Sequence, residues 1–155
     1  MGANNCGATA IVNLMVYYYN GKVFFNLYDN NEWTSAHDEI YQNAGDNSSI
    51  WDIAYAIREY TYSRRYVFNP SATALSKDST MKSNLDNNKP FILNVMGHEY
   101  YEEHHVLALG YKQFNYSNGN NRVYYRVADG FTPRSDRYVC PADATLQSSV
   151  YVSVP

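Results

Sequence analysis

Residues 6–21 read CGATAIVNLMVYYYNG, and this segment constrains the fold of the whole chain. From Cys6 to Tyr19 the residues are apolar on nearly every side of a helix, and Asn20-Gly21 is a typical helix-ending pair. A helix that is apolar all round must be buried by other elements. The segment therefore predicts a central helix that begins at Cys6 and is covered by the rest of the chain.

Three further helices are predicted in the first half of the chain. They are expected to begin after Thr34 or Ser35, near Ser48 or Ser49, and around Ser79. The second of them has apolar residues at core-facing spacing, namely Ile50, Ile53, Ala54 and Ile57. Residues 66–77 contain Asn69-Pro70 and several small residues, which predicts the connection between the two halves of the chain.

The second half of the chain changes to the period of β-strands. Strands are predicted at 91–96, 106–111, 122–127 and 150–152. Asn118-Gly119 lies between the second and third of them, which predicts a hairpin. Helices followed by antiparallel strands indicate an α+β fold. We expect one domain over residues 1–155, with a helical half at 1–88 packed on a sheet half at 89–155.

Composition argues against several classes of protein. The chain has 155 residues, 45% of them hydrophobic, and a formal net charge of −3. Its length suits one domain with a sizeable core, and its acidity argues against nucleic acid as a partner. The apolar runs are too short for a membrane span. Two cysteines cannot build a disulfide framework and do not form a Cys-x-x-Cys pair. We expect a monomer without a metal or cofactor.

The cellular compartment follows less directly from the sequence. The 17 tyrosines and the many asparagines are typical of exported or envelope proteins, so a secreted or cell-envelope location is favoured. No signal peptide is visible, because Met1-Gly2-Ala3 runs almost directly into the first candidate residues. Either a leader precedes this chain, or the protein is cytoplasmic.

Cys6 is the first candidate for chemistry. At the start of a helix the unpaired backbone N–H groups and the helix dipole stabilise negative charge. The pKa of the Cys6 thiol is therefore expected to be lowered towards the reactive thiolate. The same N–H groups can donate to an oxyanion in front of the sulfur, and Gly7 leaves room for a substrate carbonyl. The alternative is that Cys6 is a small, inert core residue.

His104 and His105 form the second candidate, at the start of a predicted strand. Histidine is the usual base for a thiol, but neighbours on a strand face opposite sides of the sheet, so the choice between the two matters. The alternatives are a solvated polar loop and a zinc site, for which the His-Glu-x-x-His spacing is absent. The zinc site would combine His98, His104 or His105 with Cys6 or Cys140.

Asp129 is the third candidate, directly after the third predicted strand. Its carboxylate could hold an imidazole in one tautomer and stabilise the imidazolium, as in a catalytic triad. The simpler interpretation is that Asp129-Gly130 forms a turn. A cysteine that opens a buried helix, a histidine that opens a strand and an acid that ends the next strand form a nucleophile, base and orienting group.

Four short motifs occur in one order along the chain: NCGATA at 5–10, KPFILNV at 89–95, HHVLALGY at 104–111 and VADGF at 127–131. Together they resemble the papain-like cysteine peptidases. The most similar branch is the bacterial one that includes the bacteriocin-leader-processing (double-glycine) peptidases and their secreted relatives. The His-x-Val-x-x-x-Gly-Tyr pattern of the superfamily matches His104, not His105. The resemblance implies a papain-like fold with an active cleft between its halves, and a triad of Cys6, His104 and Asp129.

The chain departs from this family at the oxyanion hole. Papain-like enzymes normally have a glutamine about six residues before the cysteine, and that position would precede Met1. Asn4 or Asn5 could offer a substitute amide beside the backbone N–H of Cys6. Loss of one oxyanion donor costs ~2.7–4 kcal/mol of transition-state stabilisation if nothing replaces it.

The sequence therefore predicts a cysteine peptidase that cleaves peptide or protein substrates through a thioester acyl-enzyme. One alternative is acyl transfer, such as transglutaminase-like chemistry, by the same triad. A second alternative is a catalytically weak binding module, because the oxyanion glutamine is missing.

Overall fold

The computed structural model describes residues 5–21, 24–28 and 32–155. Over these residues the chain has four α-helices and one six-stranded antiparallel sheet, which confirms the α+β class. The helices are α1 (Cys6–Asn20), α2 (Trp33–Ala44), α3 (Ile50–Ser63) and α4 (Asp78–Asp86). The strands are β1 (Asn69–Thr73), β2 (Phe91–His98), β3 (Glu102–Asn115), β4 (Asn121–Ala128), β5 (Arg137–Val139) and β6 (Leu146–Ser153). A short 3₁₀ helix, Pro141–Asp143, precedes β6.

Helix α1 is buried, as its apolar sequence predicts. It begins at Cys6, and its side chains Ile11, Leu14 and Met15 are fully buried. They belong to a core that also contains Leu107 of β3 and residues of α2 and α3. The helix therefore lies between the sheet and helices α2 and α3.

The strand order of the sheet is β1-β6-β2-β3-β4-β5. The last strand of the chain thus lies in the interior of the sheet, where Val150 of β6 stands opposite Ala72 of β1 and Ile92 of β2. Strand β3 pairs with β2 on one side and with β4 on the other.

The two faces of the sheet carry separate hydrophobic cores, and the neighbouring residues His104 and His105 lie on different faces. Leu107, two residues after His105, packs in the core around α1. Val106, two residues after His104, packs in a second core that contains Met81 of α4. Because side chains alternate along a strand, β3 directs His105 and His104 to opposite faces.

Several expectations about the elements differ from the structure, and strand β5 was not predicted. Helix α2 begins at Trp33, slightly earlier than predicted. Residues 66–77, predicted as the connection between the two halves, contain strand β1, which pairs with β6. Proline is tolerated on edge strands, and this is where Pro70 lies. Strand β3 extends well beyond the predicted 106–111 at both ends.

Helix α3 begins where the sequence predicts. Ser49 caps it in a capping box with Asp52.

Candidate functional site

The Cys6 thiol lies at the first turn of α1 and is half-buried. Three backbone N–H groups are directed to its sulfur, from His105 in β3, from Gly7 and from Cys6 itself. The helix start and strand β3 therefore meet at the sulfur. Asn5 precedes the helix, and its side chain makes no capping hydrogen bond, so its amide is not committed to the helix end.

The pKa of the Cys6 thiol differs from the sequence-based expectation. Burial raises this pKa above its ordinary value, and the hydrogen bonds from the N–H groups of His105, Gly7 and Cys6 lower it by a smaller amount. A nearby carboxylate, that of Glu103, raises it further. The expectation of a lowered pKa was wrong because it considered the helix start and not the loss of solvent around a half-buried sulfur.

The ring of His104 is held by the main chain of Asp129. Its Nε2 lies 2.5 Å from the carbonyl oxygen of Asp129, and the residue is buried. A carbonyl oxygen can only accept, so Nε2 carries the proton and Nδ1 of the neutral ring carries the lone pair. Burial lowers the pKa of His104, while the hydrogen bond and the negative charge of Asp129 oppose that shift. The imidazole is therefore neutral at pH 7, with Nδ1 as its basic atom.

Two aromatic rings that were not predicted from the sequence fix the plane of the His104 ring. Phe131 stacks on it with a centroid distance of 4.3 Å and an interplanar angle of 16°. Tyr101 lies nearly parallel to it, with the centroids 5.3 Å apart. Both residues lie close to the candidates in sequence, and Phe131 ends the VADGF motif, which was the available signal.

The carboxylate of Asp129 does not bind the imidazole, in contrast to the expected triad. One of its oxygens accepts from the hydroxyl of Tyr101 at 3.0 Å. The other accepts from the backbone N–H groups of Phe131 and Thr132. The expected Asp-Gly turn is therefore present, and the carboxylate stabilises the turn whose main chain holds His104.

The turn after Asp129 also contacts the start of α1. Gly130 has a positive φ of 75°. A Cβ at this position would lie 2.8 Å from Cγ2 of Thr9 in the first turns of α1. The absence of a side chain at Gly130 thus lets the end of β4 approach the helix that carries Cys6.

His105 has a different environment from His104. Its Nε2 donates to the carbonyl oxygen of Ser48, at 2.7 Å, just before α3. Its Nδ1 is buried and has no hydrogen-bond partner in the described structure. Burial lowers the pKa of His105 to about 4. This ring is a buried neutral group that ties β3 to the start of α3.

The structure thus brings the predicted residues together only in part. The Cys6 sulfur contacts the N–H of the peptide that joins His104 to His105, and His104 binds the main chain of Asp129. Among the hydrogen bonds of the described residues, none joins the thiol to either imidazole ring.

The remaining candidates are placed as follows. Gly7 is buried, and a Cβ there would lie 2.3 Å from Oγ of Ser48 and 2.5 Å from Cδ1 of Ile53. Its missing side chain makes room for α3 and not for a substrate, although its backbone N–H is directed to the sulfur. Asn4 lies outside the described residues.

The residues of the zinc alternative are not arranged around one point. His98 uses Nδ1 to accept from the backbone N–H groups of Tyr100 and Tyr101. Cys140 is buried and accepts from the guanidinium of Arg122. In the described ranges, no three histidine, cysteine or acidic side chains are grouped as metal ligands would be.

Comparison of the chain with protein-family models, with curated proteins and with solved structures found no match. Across 5–21, 24–28 and 32–155, no helix has both the length and the apolarity needed to cross a membrane.

Proposed function

We propose that the chain is a cysteine peptidase with a papain-like fold, in which Cys6 is the nucleophile and His104 is the base. The observation that carries the proposal is the hydrogen bond from the backbone N–H of His105 to the Cys6 sulfur, which brings the sulfur to the main chain of β3 directly after His104. A thiol at a helix start, a neutral imidazole on the adjoining residue of β3 and a main-chain carbonyl that holds this imidazole are the parts that the proposal uses.

His104 is the better base of the two histidines. The pKa of His105 is lowered to about 4, so its ring would hold the proton of a thiol poorly. Its Nε2 is also needed to bind Ser48. For His104, the bond to Asp129 and the charge of that residue favour the protonated form and offset part of the effect of burial. A proton taken up on Nδ1 of His104 is therefore stabilised as it arrives.

The reaction begins from a neutral thiol and a neutral imidazole, because burial raises the pKa of Cys6 and lowers that of His104. Nδ1 of His104 takes the thiol proton as the sulfur attacks the peptide carbonyl carbon, and the carbonyl oxygen becomes an oxyanion. The proton then passes from Nδ1 to the leaving amine, the C–N bond breaks, and a thioester remains on Cys6. Water, deprotonated by His104, hydrolyses the thioester and restores the thiol.

The oxyanion needs donors that are fixed before the reaction. The backbone N–H of Cys6 is one, and the side-chain amide of Asn5 is the second, since it makes no capping bond to α1. Asn5 thus takes the part that the upstream glutamine has in the family that the sequence resembles. Asn4 remains a second candidate for the same role.

The proposal is tested by hydrolysis of a peptide library by three proteins: the parent chain, Cys6→Ala and the matched control Cys140→Ala. We expect the parent and Cys140→Ala to cleave and Cys6→Ala to be inactive, with a thioester on the Cys6 peptide found by mass spectrometry after rapid acid quench. Cleavage by Cys6→Ala would refute the proposal. Product analysis with added amine distinguishes hydrolysis from acyl transfer.

The proposal that the Cys6 thiol is protonated before the reaction is tested by alkylating Cys6 with iodoacetamide across a pH series. Because the pKa of the thiol is raised, the rate should increase towards alkaline pH, with its midpoint above that of a free cysteine. A labelling rate that is already at its plateau at acid pH would instead indicate a thiolate–imidazolium pair in the resting protein.

A further inference from the structure

A cleft of about 260 Å³ lies between the start of α3 and strands β2, β3 and β6. Glu103 on one wall directly precedes His104 in the sequence, and alternation along β3 directs its side chain to the face that His105 occupies. Ser48 on another wall binds the His105 ring through its carbonyl and lies against Gly7, the residue after the nucleophile. Through the contact of Ser48 with Gly7, the cleft adjoins the first turn of α1, which carries Cys6.

The walls of the cleft offer apolar surface to a long side chain. Trp51, Met96 and Leu146 line it, and their side chains are 63%, 39% and 47% exposed. Exposed large apolar side chains that converge on one concave surface are typical of a binding site. The methylene groups of a flexible side chain would be shielded from water along these three residues.

Two polar side chains that line the cleft are buried, and each has an oxygen without a hydrogen-bond partner. Asn94 is 7% exposed and Ser48 is 4% exposed. Both line the cleft, and within the described part of the chain neither Oδ1 of Asn94 nor Oγ of Ser48 has a hydrogen-bond partner. A buried acceptor without a partner is costly, so a ligand that brings N–H donors here would gain affinity by satisfying it.

Among the described residues that line the cleft, the carboxylate of Glu103 is the only charged side chain, and none of these residues is a lysine or an arginine. Glu103 is close enough to the sulfur for its charge to act on Cys6. The cleft therefore combines apolar walls, a buried acceptor and a negative charge.

We propose that this cleft selects an arginine side chain, or less strongly a lysine side chain, close to the peptide bond that is cleaved. The inference rests on the proposed peptidase function. The methylene groups lie along Met96 and Leu146, and the guanidinium donates to Oδ1 of Asn94 and pairs with Glu103. Arginine is preferred to lysine because its planar group has five donors and can bind both acceptors at once.

The first experiment compares kcat/KM for peptides that differ only in one residue near the cleavage point: arginine, lysine, citrulline or glutamate. Arginine should be best and glutamate worst. Citrulline has the shape of arginine without its charge, so kcat/KM for the citrulline peptide should lie between the values for the arginine and glutamate peptides. In Glu103→Gln the advantage of arginine over citrulline should decrease about two- to fivefold, as expected for an ion pair with an exposed carboxylate.

The matched control is Glu102→Gln, which removes the same charge from the neighbouring exposed residue outside the cleft. It should leave the preference for arginine unchanged. An equal effect of the two substitutions would mean that overall charge, and not the cleft, produces the preference. Equal rates with arginine and glutamate in the parent chain would overturn the inference directly.

A second experiment does not need hydrolysis and separates the two proposals. Two thiol reagents of equal length and opposite charge, 2-aminoethyl and 2-sulfonatoethyl methanethiosulfonate, are compared for their rates at Cys6, each divided by its rate with a free thiol. The cationic reagent should react faster, and Glu103→Gln should reduce that preference. If the reagents show charge selection but no peptide is cleaved, the proposal of a cation-selecting cleft is supported and that of a peptidase is refuted. If peptides are cleaved but the reagents show no charge selection, the peptidase is supported and the cation-selecting cleft is refuted. Failure of both reagents to reach Cys6 would overturn both proposals.

Discussion

His104 and His105 are adjacent in sequence and have almost opposite surroundings. Each donates from Nε2 to a main-chain carbonyl, but the partner of His104 belongs to the turn at Asp129 and that of His105 is Ser48. The charge of Asp129 favours protonation of His104, and His105 lacks a comparable carboxylate among the causes of its pKa shift. His104 is thus suited to proton transfer, whereas His105 attaches β3 to the start of α3.

The buried His105 predicts that stability depends on pH. Its pKa is about 4 in the folded chain and near 6.5 in the unfolded chain, so between these values only the unfolded chain binds the proton. The free energy of unfolding should therefore fall as the pH is lowered from about 6.5 to 4, by up to about 3 kcal/mol from this group. Denaturant unfolding at a series of pH values measures the slope.

The variant His105→Gln isolates this contribution. Glutamine places a nitrogen donor where Nε2 of the histidine binds Ser48, but it does not titrate. We expect a flatter dependence of stability on pH between 6.5 and 4 than in the parent chain. An unchanged slope would assign the effect to other groups.

In the proposed peptidase, replacing Asp129 by asparagine should reduce kcat/KM only modestly, although the same replacement is severe in a standard catalytic triad. Its carboxylate binds Tyr101 and two backbone N–H groups, while its main chain holds His104. An asparagine keeps the same shape and one acceptor oxygen, so Asp129→Asn should reduce kcat/KM by less than about 100-fold, compared with ~10⁴-fold where the carboxylate itself orients the histidine. Measured hydrolysis rates decide this, and a loss in the thousands would show that the negative charge is needed.

At the scale of elements, the crossing of α1 and α3 depends on the missing side chain of Gly7. A Cβ there would be 2.3 Å from Oγ of Ser48, so Gly7→Ala should lower the free energy of unfolding by about 1–3 kcal/mol, the usual cost of overpacking. Gly21→Ala is the control, because Gly21 has a helical φ of −68° and its nearest atom is at an ordinary contact distance. Equal stabilities of the two variants, measured by denaturant unfolding, would contradict the account of Gly7.

The elements that the sequence predicted correctly are those whose pattern is local. Helix α1 is apolar along its length, and α3 has both a capping serine and apolar residues at helical spacing, so each is recognisable without its neighbours. Strand β1 contains Pro70 and few large apolar residues, and only its pairing with the distant β6 makes it a strand. A local pattern could not reveal this long-range pairing.

The residues of the candidate site could be named from the sequence, but the hydrogen bonds between them could not. The order of Cys6, His104 and Asp129 was visible in the motifs, whereas the use of a main-chain carbonyl to hold His104 depends on the path of the turn at Gly130. The raised pKa of Cys6 follows from burial, which the sequence of the first helical turn does not contain. Likewise, Asn94 is an ordinary polar residue in a strand sequence, and the burial of its Oδ1 without a partner is visible only in the folded chain.

At the scale of the whole molecule, β6 connects β1 to the rest of the sheet. It lies between β1 and β2, and its Val150 is fully buried in the core around α1. A chain that ends before Leu146 would leave an open edge on β2 and uncover that core. We therefore expect such a chain to lose cooperative unfolding, as followed by circular dichroism during heating. A chain that lacks only the exposed Pro155 should unfold as the parent does, and cooperative unfolding of the shorter chain would contradict this role of β6.

The interior position of β6 also has a consequence during synthesis on the ribosome. Translation produces Cys6 well before β6, so the cleft at the start of α3 lacks its Leu146 wall until β6 has been made. A nascent chain that has not reached β6 would therefore carry an unassembled site. In the proposed peptidase, this order of assembly delays activity until β6 has been made.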